Sequence, residues 1–375
     1  MERPQTRSRL HLVGWLLGYK AVLFLLIYLA VVLLPPLFLV HAYYGNIHGP
    51  SEPHPVGRYF STWDAQPYLI MSEFGYQADS RLNAFFPLWP FCIRLLSYVT
   101  GGHHLLSGII LANVLSVFAL LALHEYVARE KGTRFANRTL LLLLAFPGSL
   151  FLMFPYSEAL FLLLSVLIFH QLSKSNYLRV GVLGFFAALT RPVGVLLIIP
   201  VALHILRNRK FSALPSITLP LLGYLSYLVI LYLYTGDAMS GFYAQEQFVS
   251  KASVRKIIDV VGFIKSLTTS LQVHGFIDSA IDRVWFLLFC ASLPLIWRMN
   301  REWFSYSLLM GLVPAMSLSF MSFTRYMLVI FPVFVVAAHL FSTEQRERWF
   351  YLLLAALFGV QMIFLIRHIN FYWAG

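Results

Sequence analysis

Charged residues are scarce in this 375-residue chain: Asp, Glu, Lys and Arg make up 12% of it, whereas hydrophobic residues make up 59%. Soluble domains carry roughly 25% charged residues. The composition therefore argues against a soluble enzyme and predicts an all-α polytopic membrane protein. Cysteines are also few. Cys92 and Cys290 both lie in apolar sequence without metal-ligand spacing, which argues against a disulfide framework and against a zinc site.

Several catalytic motifs are missing as well. The chain has no glycine-rich phosphate loop of the Walker type, no HExxH and no GxSxG. Soluble nucleotide chemistry and protease chemistry therefore have no support. No acidic pair of the DxD kind occurs in the first predicted outer loop, residues 41–104, and we expect no metal and no cofactor.

Long apolar runs are what the sequence has in abundance. The first covers residues 21–40 and follows a basic N-terminal segment. A signal peptide has an apolar region of only ~7–15 residues, so this run predicts a retained span with a cytoplasmic N-terminus. Ten further runs follow at residues 105–127, 139–154, 159–172, 178–189, 193–206, 214–234, 284–297, 303–321, 326–341 and 350–366.

These runs predict about eleven transmembrane helices, or one fewer if residues 178–189 and 193–206 form one broken helix. The cytoplasmic segments of this topology, with Lys20 counted among them, hold 17 of the 28 Lys and Arg but only six of the 16 Asp and Glu. Such an excess follows the positive-inside rule. It accounts for the net charge of +12 without a nucleic-acid partner.

The same topology predicts a single membrane domain, residues 1–375, with two large outer loops. The first outer loop, 41–104, is expected to hold two membrane-surface helices, at 65–76 and 84–100. The second outer loop, 235–283, has nearly balanced charge.

Asp64 follows Trp63 at the start of the first predicted surface helix. An Asp at this place is an ordinary N-cap whose carboxylate accepts free helix N–H groups. A carboxylate fixed at a helix start beside a low-dielectric boundary is also a positioned general base. The sequence leaves both interpretations open.

Tyr156, Ser157 and Glu158 lie between two apolar runs at the predicted outer side. One interpretation is a turn followed by a helix, with Glu158 stabilised near the helix N-terminus. The alternative is that the three side chains orient the hydroxyl groups of a sugar.

Arg191 and Arg325 lie at two other outer boundaries, each next to apolar sequence. An arginine at membrane depth costs ~2.5–3.5 kcal/mol on insertion scales, so Arg191 needs an acidic partner such as Glu158, or an anion. Arg325 could also extend to the membrane surface. Two arginines on the side that holds Asp64 favour a lipid-phosphate site, because guanidinium binds phosphate through two hydrogen bonds.

Five segments taken in order resemble the PIG-V family of GT-C membrane glycosyltransferases. They are residues 63–66 with 68–69 and 75–76, then 84–90, 155–158, 190–194 and 325–326, and Pro67 departs from the family's first motif, where a larger residue is expected. The resemblance implies a polyprenyl or dolichyl phosphate hexose as donor, most simply a mannose, and transfer to a hydroxyl acceptor such as a glycolipid on the non-cytoplasmic side. It also implies that Asp64 is catalytic.

The roles of the other residues are expected from their chemistry within this family. Arg191 and Arg325 would hold the donor phosphate, and one displacement would invert the sugar. Substrate contacts are expected from six residues: Trp63, Gln66, Tyr156, Ser157, Glu158 and Tyr326. The compact chain suits a bacterial plasma membrane, or the ER membrane in a eukaryote. The alternative function is a transporter or flippase of a polyprenyl-linked lipid.

Overall fold

The computed structural model describes residues 4–33, 46–47, 56–248, 253–268, 275–318 and 320–374. Within these ranges every regular element is a helix, which confirms the all-α prediction. The α-helices are α1 (Pro4–Leu33), α2 (Ala65–Phe74), α3 (Leu88–Ser97), α4 (His104–Lys131), α5 (Thr133–Ala145), α6 (Glu158–Ser173), α7 (Tyr177–Thr190), α8 (Ile198–Arg207), α9 (Thr218–Thr235), α10 (Ser240–Glu246), α11 (Val254–Ile258), α12 (Val260–Ser266), α13 (Gly275–Met299), α14 (Arg301–Leu318), α15 (Phe323–Leu328), α16 (Phe331–Leu340) and α17 (Glu347–Ile369). Short 3-10 helices cover Val56–Phe60, Arg81–Ala84, Pro147–Leu152, Pro192–Leu197, Phe211–Ile217 and Glu344–Arg346.

Five of the helices in the described ranges are long and apolar enough to cross a membrane. They are Arg9–Leu33, His104–Lys131, Phe211–Thr235, Ala280–Met299 and Glu344–Ile369. Shorter apolar helices, among them α6, α7 and α16, lie between them. The protein is therefore an integral membrane protein, and the count of eleven crossings stays a prediction.

The first span differs from its prediction. Helix α1 begins at Pro4 and places Lys20 in its interior, whereas the sequence had placed Lys20 before the span, among the cytoplasmic basic residues. Lys20 is buried, and its Nζ donates a hydrogen bond of 2.8 Å to the carbonyl oxygen of Leu152. This carbonyl belongs to a 3-10 segment, where backbone groups lack α-helical partners. Residues 34–40 of the predicted span lie outside the described residues.

Helix breaks determine where polar groups enter the apolar core. The predicted run 139–154 is not one helix, because α5 ends at Ala145 and Pro147 starts a 3-10 segment. The predicted break at residues 190–194 is present. Arg191 is extended, with φ −152° and ψ 151°, between the end of α7 and the 3-10 segment that starts at Pro192. The last break divides the predicted run 326–341 into α15 and α16.

Helix α6 lies at the centre of the core. It packs against α4 on one side and α7 on the other, and its residues are buried nearly all round. A helix that is apolar on every face belongs in a protein interior. The first residue of α6 is Glu158, which is fully buried. This position places a carboxylate inside the core, where it needs cationic partners.

The first predicted outer loop contains two helices, α2 and α3, close to the two predicted there. Their placement on a membrane surface stays a prediction. In the second predicted outer loop lie α10, α11 and α12, and α13 begins inside it at Gly275. Residues 249–252 and 269–274 of that loop lie outside the described residues.

Small residues allow α7 and α9 to approach closely. A Cβ atom added at Gly223 would lie 2.4 Å from the carbonyl oxygen of Phe185, and one added at Gly184 would lie 2.6 Å from Pro220 Cγ. Glycine at such contacts is the usual solution for helices in a membrane, where packing replaces the hydrophobic effect.

We predict that Gly223→Ala lowers the stability of the protein by ~1–3 kcal/mol, because the new methyl group meets backbone that cannot move aside. Gly359→Ala in α17 is the matched control, since no atom of the described residues lies within 4 Å of a Cβ added there. In that variant only the higher helix propensity of alanine acts, which favours the helix by up to ~1 kcal/mol. Melting temperatures of both variants in one detergent give the comparison. Equal melting temperatures would contradict the close packing of α7 and α9.

Candidate active site

The loop before α2 is held in an unusual conformation. Trp63 has φ 51°, in the left-handed region that bulky residues avoid. Its backbone N–H donates to Asn46 Oδ1 at 2.6 Å, and the indole packs edge-on against Trp373 with ring centroids 4.9 Å apart. Strained backbone of this kind persists only when its surroundings fix it, and it is concentrated at functional sites.

Gln66 ties the same loop together. Its Oε1 accepts a hydrogen bond from the backbone N–H of Ile47 at 2.6 Å, and its Nε2 donates to the carbonyl oxygen of Ser61 at 3.0 Å. The side chain is buried. The sequence predicts substrate contacts for Trp63 and Gln66. The contacts found here instead hold the loop that carries Asp64.

Asp64 stands at the N-cap position of α2, but its carboxylate caps no helix N–H group. The N-cap interpretation is therefore wrong for this side chain. Instead, Oδ2 of Asp64 accepts a hydrogen bond from Nη1 of Arg325 in a short ion pair. The side chain of Asp64 keeps 30% of its surface exposed, whereas that of Arg325 keeps 4%. The carboxylate thus stays accessible while its cationic partner is buried.

Arg325 is fixed in place from several directions. Its Nε donates to Glu158 Oε1 in a second short ion pair, and its guanidinium carbon lies 4.7 Å from the centre of the Tyr156 ring. The start of α15 is anchored by Asp282 of α13, whose Oδ1 accepts hydrogen bonds from Thr324 N at 2.8 Å and Thr324 Oγ1 at 2.7 Å. Arg325 therefore does not extend to the membrane surface.

Glu158 is shared between two arginines. Its Oε1 also lies 3.2 Å from Nη2 of Arg191, whose guanidinium carbon is 5.0 Å from the centre of the Tyr326 ring. Of the two interpretations of Arg191, pairing with Glu158 is what the structure contains. Within the part of the chain that the structure describes, Glu158 Oε2 and Arg191 Nη1 are buried without a hydrogen-bond partner.

The four charges form one alternating row, Asp64–Arg325–Glu158–Arg191. Burying an unpaired ion costs several kcal/mol, and pairing with good hydrogen bonds recovers much of that cost. Two acids and two bases give a net charge of zero, which suits a core position. Because Arg325 is paired with both carboxylates, an incoming anion must compete with one of them for Arg325.

Tyr156 and Ser157 are fully buried and connect neighbouring elements. Tyr156 Oη donates to the carbonyl oxygen of Thr62 at 3.1 Å, and Ser157 Oγ lies 3.0 Å from Tyr68 Oη. Their predicted role in orienting sugar hydroxyls stays a prediction. The contacts found here fix the segments on both sides of Asp64 against the start of α6.

His368 of α17 is a residue that the sequence did not indicate. It is fully buried, and its Nε2 lies 3.0 Å from Thr62 Oγ1 and 3.4 Å from Tyr156 Oη. A lone histidine near the end of an apolar run carries no spacing signal. Only the fold brings it to the Asp64 loop.

Two solved structures are similar to this chain: ArnT from Cupriavidus metallidurans in the apo state, with 15% identity and a TM-score of 0.49, and the same protein bound to undecaprenyl phosphate, with 13% identity and a TM-score of 0.48. The alignments cover 94% and 96% of this chain, but only 63% and 74% of those chains. The comparison with curated proteins gave no match.

A family model described as Mannosyltransferase (PIG-V) matches residues 54–251, which is more than half of the chain. The matched region contains Asp64, Glu158 and Arg191, three of the four charges of the row, while Arg325 follows it. With this match and the motifs in family order, the chain belongs to the PIG-V mannosyltransferase family.

Proposed function

We propose that this glycosyltransferase moves a hexose, with mannose as the first candidate, from a polyprenyl or dolichyl phosphate donor to a hydroxyl group of an acceptor such as a glycolipid. Membership of the PIG-V family supports the reaction class. The observation that carries the proposal is the ion pair between the accessible Asp64 and the buried Arg325. This direct contact between a carboxylate and a guanidinium group supports their proposed roles as the base and as a ligand of the donor phosphate.

Donor binding would separate this pair. The donor phosphate is an anion that can hydrogen-bond a guanidinium group at two positions. At Arg325 it would compete with Asp64, whose side chain is 30% exposed, rather than with Glu158, which is fully buried. Asp64 would then be released from its ion pair, and its carboxylate could accept a hydrogen bond from the acceptor hydroxyl. Binding of the donor would thus prepare the carboxylate for proton transfer.

The chemical step is a single displacement. The acceptor hydroxyl attacks the anomeric carbon, and Asp64 takes the hydroxyl proton as the new C–O bond forms. The bond between the anomeric carbon and the phosphate oxygen breaks, and its electron pair stays on the phosphate. The configuration at the anomeric carbon is inverted, because attack comes from the face opposite the leaving group.

The leaving group explains why one carboxylate suffices. Glycoside hydrolases need a second carboxyl group that protonates a poorly leaving sugar oxygen. A phosphate leaves as a stable anion, and Arg325 with Arg191 would stabilise its charge. Arg191 contributes a buried Nη1 without a hydrogen-bond partner in the described region. Under this proposal the reaction needs no metal and no cofactor other than the lipid-linked sugar.

The wider architecture of the proposal is of the GT-C type, with about eleven transmembrane helices and two membrane-surface helices, α2 and α3. The membrane spans would bind the prenyl chain. The row of charges would face the non-cytoplasmic side and the N-terminus the cytoplasm, in a bacterial plasma membrane or an ER membrane. A flippase for the same lipid would move it without forming a glycosidic bond, so an assay of transfer separates the two functions.

Asp64→Asn tests the proposed base. We expect sugar transfer from labelled polyprenyl-phosphate-mannose to a membrane-extract acceptor to fall by ~10²–10⁴-fold, the usual contribution of general acid–base catalysis. Asp79→Asn is the matched control, since Asp79 is an exposed acid of the same outer segment. Purified protein in lipid and a labelled-product count give the measurement. Normal transfer by the Asp64→Asn variant would remove Asp64 from the mechanism.

Glu158→Gln tests whether Glu158 contributes more to the stability of the protein than Asp64 does. This change leaves Arg191 and Arg325 with one carboxylate between them, and we expect a loss of ~3–5 kcal/mol in stability, as for other broken buried ion pairs. Asp64→Asn should cost less, because Arg325 keeps Glu158. The double variant Glu158→Gln/Arg191→Gln restores a net charge of zero and should regain part of the loss. Melting temperatures in detergent decide this, and equal losses for Glu158→Gln and Asp64→Asn would contradict the distinction.

Single cysteines test the proposed sidedness. Ala78 lies in the outer segment after α2, and Ser175 lies in the turn between α6 and α7, and both are exposed. With Cys92 and Cys290 replaced by serine, a membrane-impermeant maleimide added to intact cells should label Ala78→Cys and leave Ser175→Cys unlabelled until the membrane is opened. Labelling of Ser175→Cys in intact cells would reverse the proposed orientation.

A further inference from the structure

A second polar site lies at the opposite end of the same core helices. Its cavity has a volume of about 480 Å³ and is formed by the last turns of α4, α6, α8 and α13 with the first turn of α14. Helix α6 begins at Glu158 in the row of charges and ends at Ser173 beside this cavity. At ~1.5 Å per residue the two ends of this helix are roughly 24 Å apart, so the cavity is separate from the candidate active site.

The buried acid of this cavity, Glu302, already has a cationic partner. Glu302 is 8% exposed, and both of its carboxylate oxygens accept hydrogen bonds from Nη1 of Arg207, at 3.0 and 3.1 Å. His204 Nδ1 lies 3.5 Å from Glu302 Oε1. The positive charge of Arg207 therefore offsets the negative charge of Glu302, and Glu302 does little to attract or repel a ligand.

Two further arginines of the cavity are exposed and unpaired. Arg298 and Arg301 line the cavity and take part in no ion pair among the described residues. The guanidinium carbon of Arg301 lies 4.8 Å from the centre of the Trp297 ring, which holds it over a flat apolar surface. The other acid of the lining, Glu130, is exposed. Since Arg207 and Glu302 compensate each other, the two arginines outnumber the one remaining acid.

The position of the cavity indicates the source of a ligand. Glu130 lies in the last turn of the candidate span His104–Lys131, and Arg298 lies in the last turn of the candidate span Ala280–Met299. Side chains at the ends of spans lie at the depth of lipid headgroups. Trp297 is 45% exposed there, and exposed tryptophan is typical of the interface between membrane and water.

We propose that this cavity binds the phosphate group of an anionic lipid headgroup through Arg298 and Arg301. Guanidinium groups bind phosphate oxygens in pairs, and basic pockets between spans are suited to such headgroups. Free phosphate offers the same oxygen atoms, but the location at the span ends favours the lipid. The proposal does not depend on the sugar-transfer reaction, because no residue of the row of charges takes part in it.

The experiment uses the full-length protein in a mild detergent with native mass spectrometry. Phosphatidylglycerol, phosphatidylcholine and inorganic phosphate are titrated separately, and melting temperatures are recorded alongside. We expect one phosphatidylglycerol to bind more tightly than phosphatidylcholine. Arg298→Gln/Arg301→Gln should weaken this binding by about thirtyfold, because the loss of each basic residue near a membrane surface weakens binding about fivefold. The conservative Arg301→Lys should weaken it less, because the charge remains.

The matched control is Arg134→Gln/Arg179→Gln, which removes the same charge from exposed positions near the same helix ends but outside the cavity. It should leave lipid binding almost unchanged. If both double variants weaken binding equally, general surface charge attracts the lipid and the proposal is wrong. The proposal is also wrong if the cavity variant, Arg298→Gln/Arg301→Gln, binds phosphatidylglycerol as well as the wild type does. Tight binding of inorganic phosphate without binding of phosphatidylglycerol, lost in the cavity variant alone, would support a phosphate site but overturn the lipid as its source.

Discussion

The structure depends on one shared atom, Oε1 of Glu158, which faces Arg325 and Arg191 together. Glu158 begins the central helix and is fully buried, so its charge must be matched inside the core. Both partners are distant in sequence: Arg191 lies at the helix break before Pro192, and Arg325 lies in the short helix α15. Matching this charge therefore brings three separate segments together, and Arg325 in turn brings the loop of Asp64. The position of the candidate site follows from electrostatic necessity.

The sequence indicated these candidate residues because charged residues are rare in apolar sequence. Arg191 and Arg325 stand at the edges of apolar runs, Asp64 stands at the start of a predicted surface helix, and the proline beside Arg191 indicates a broken helix. The sequence could not give their pairing. An N-cap, a surface-directed arginine and a buried ion pair all have the same local signal, and only packing distinguishes them. His368 and Asp282 were missed because a single polar residue near a helix end has no characteristic spacing.

Helix boundaries show the same division between local and long-range information. Apolar runs located the helices well, but the run at 139–154 hid a change from α-helix to 3-10 helix at Pro147. Lys20 was assigned to the cytoplasmic side because it precedes an uncharged run. In the structure Lys20 donates a hydrogen bond to the carbonyl oxygen of Leu152. No sequence pattern within α1 predicts a backbone acceptor that belongs to another segment.

Burial divides the two acids of the row into different tasks. Glu158 has two arginine partners and no exposed surface, so its carboxylate is held and its charge is fixed. Among the described residues Asp64 forms an ion pair with Arg325 alone and keeps an exposed edge, which is why the proposed mechanism has an incoming anion replace it at Arg325. Under the proposed mechanism, a donor phosphate that takes the place of Asp64 at Arg325 releases the carboxylate at the moment when the leaving group is bound. The ion pair that holds the two side chains together would then couple donor binding to proton removal, without a separate moving element.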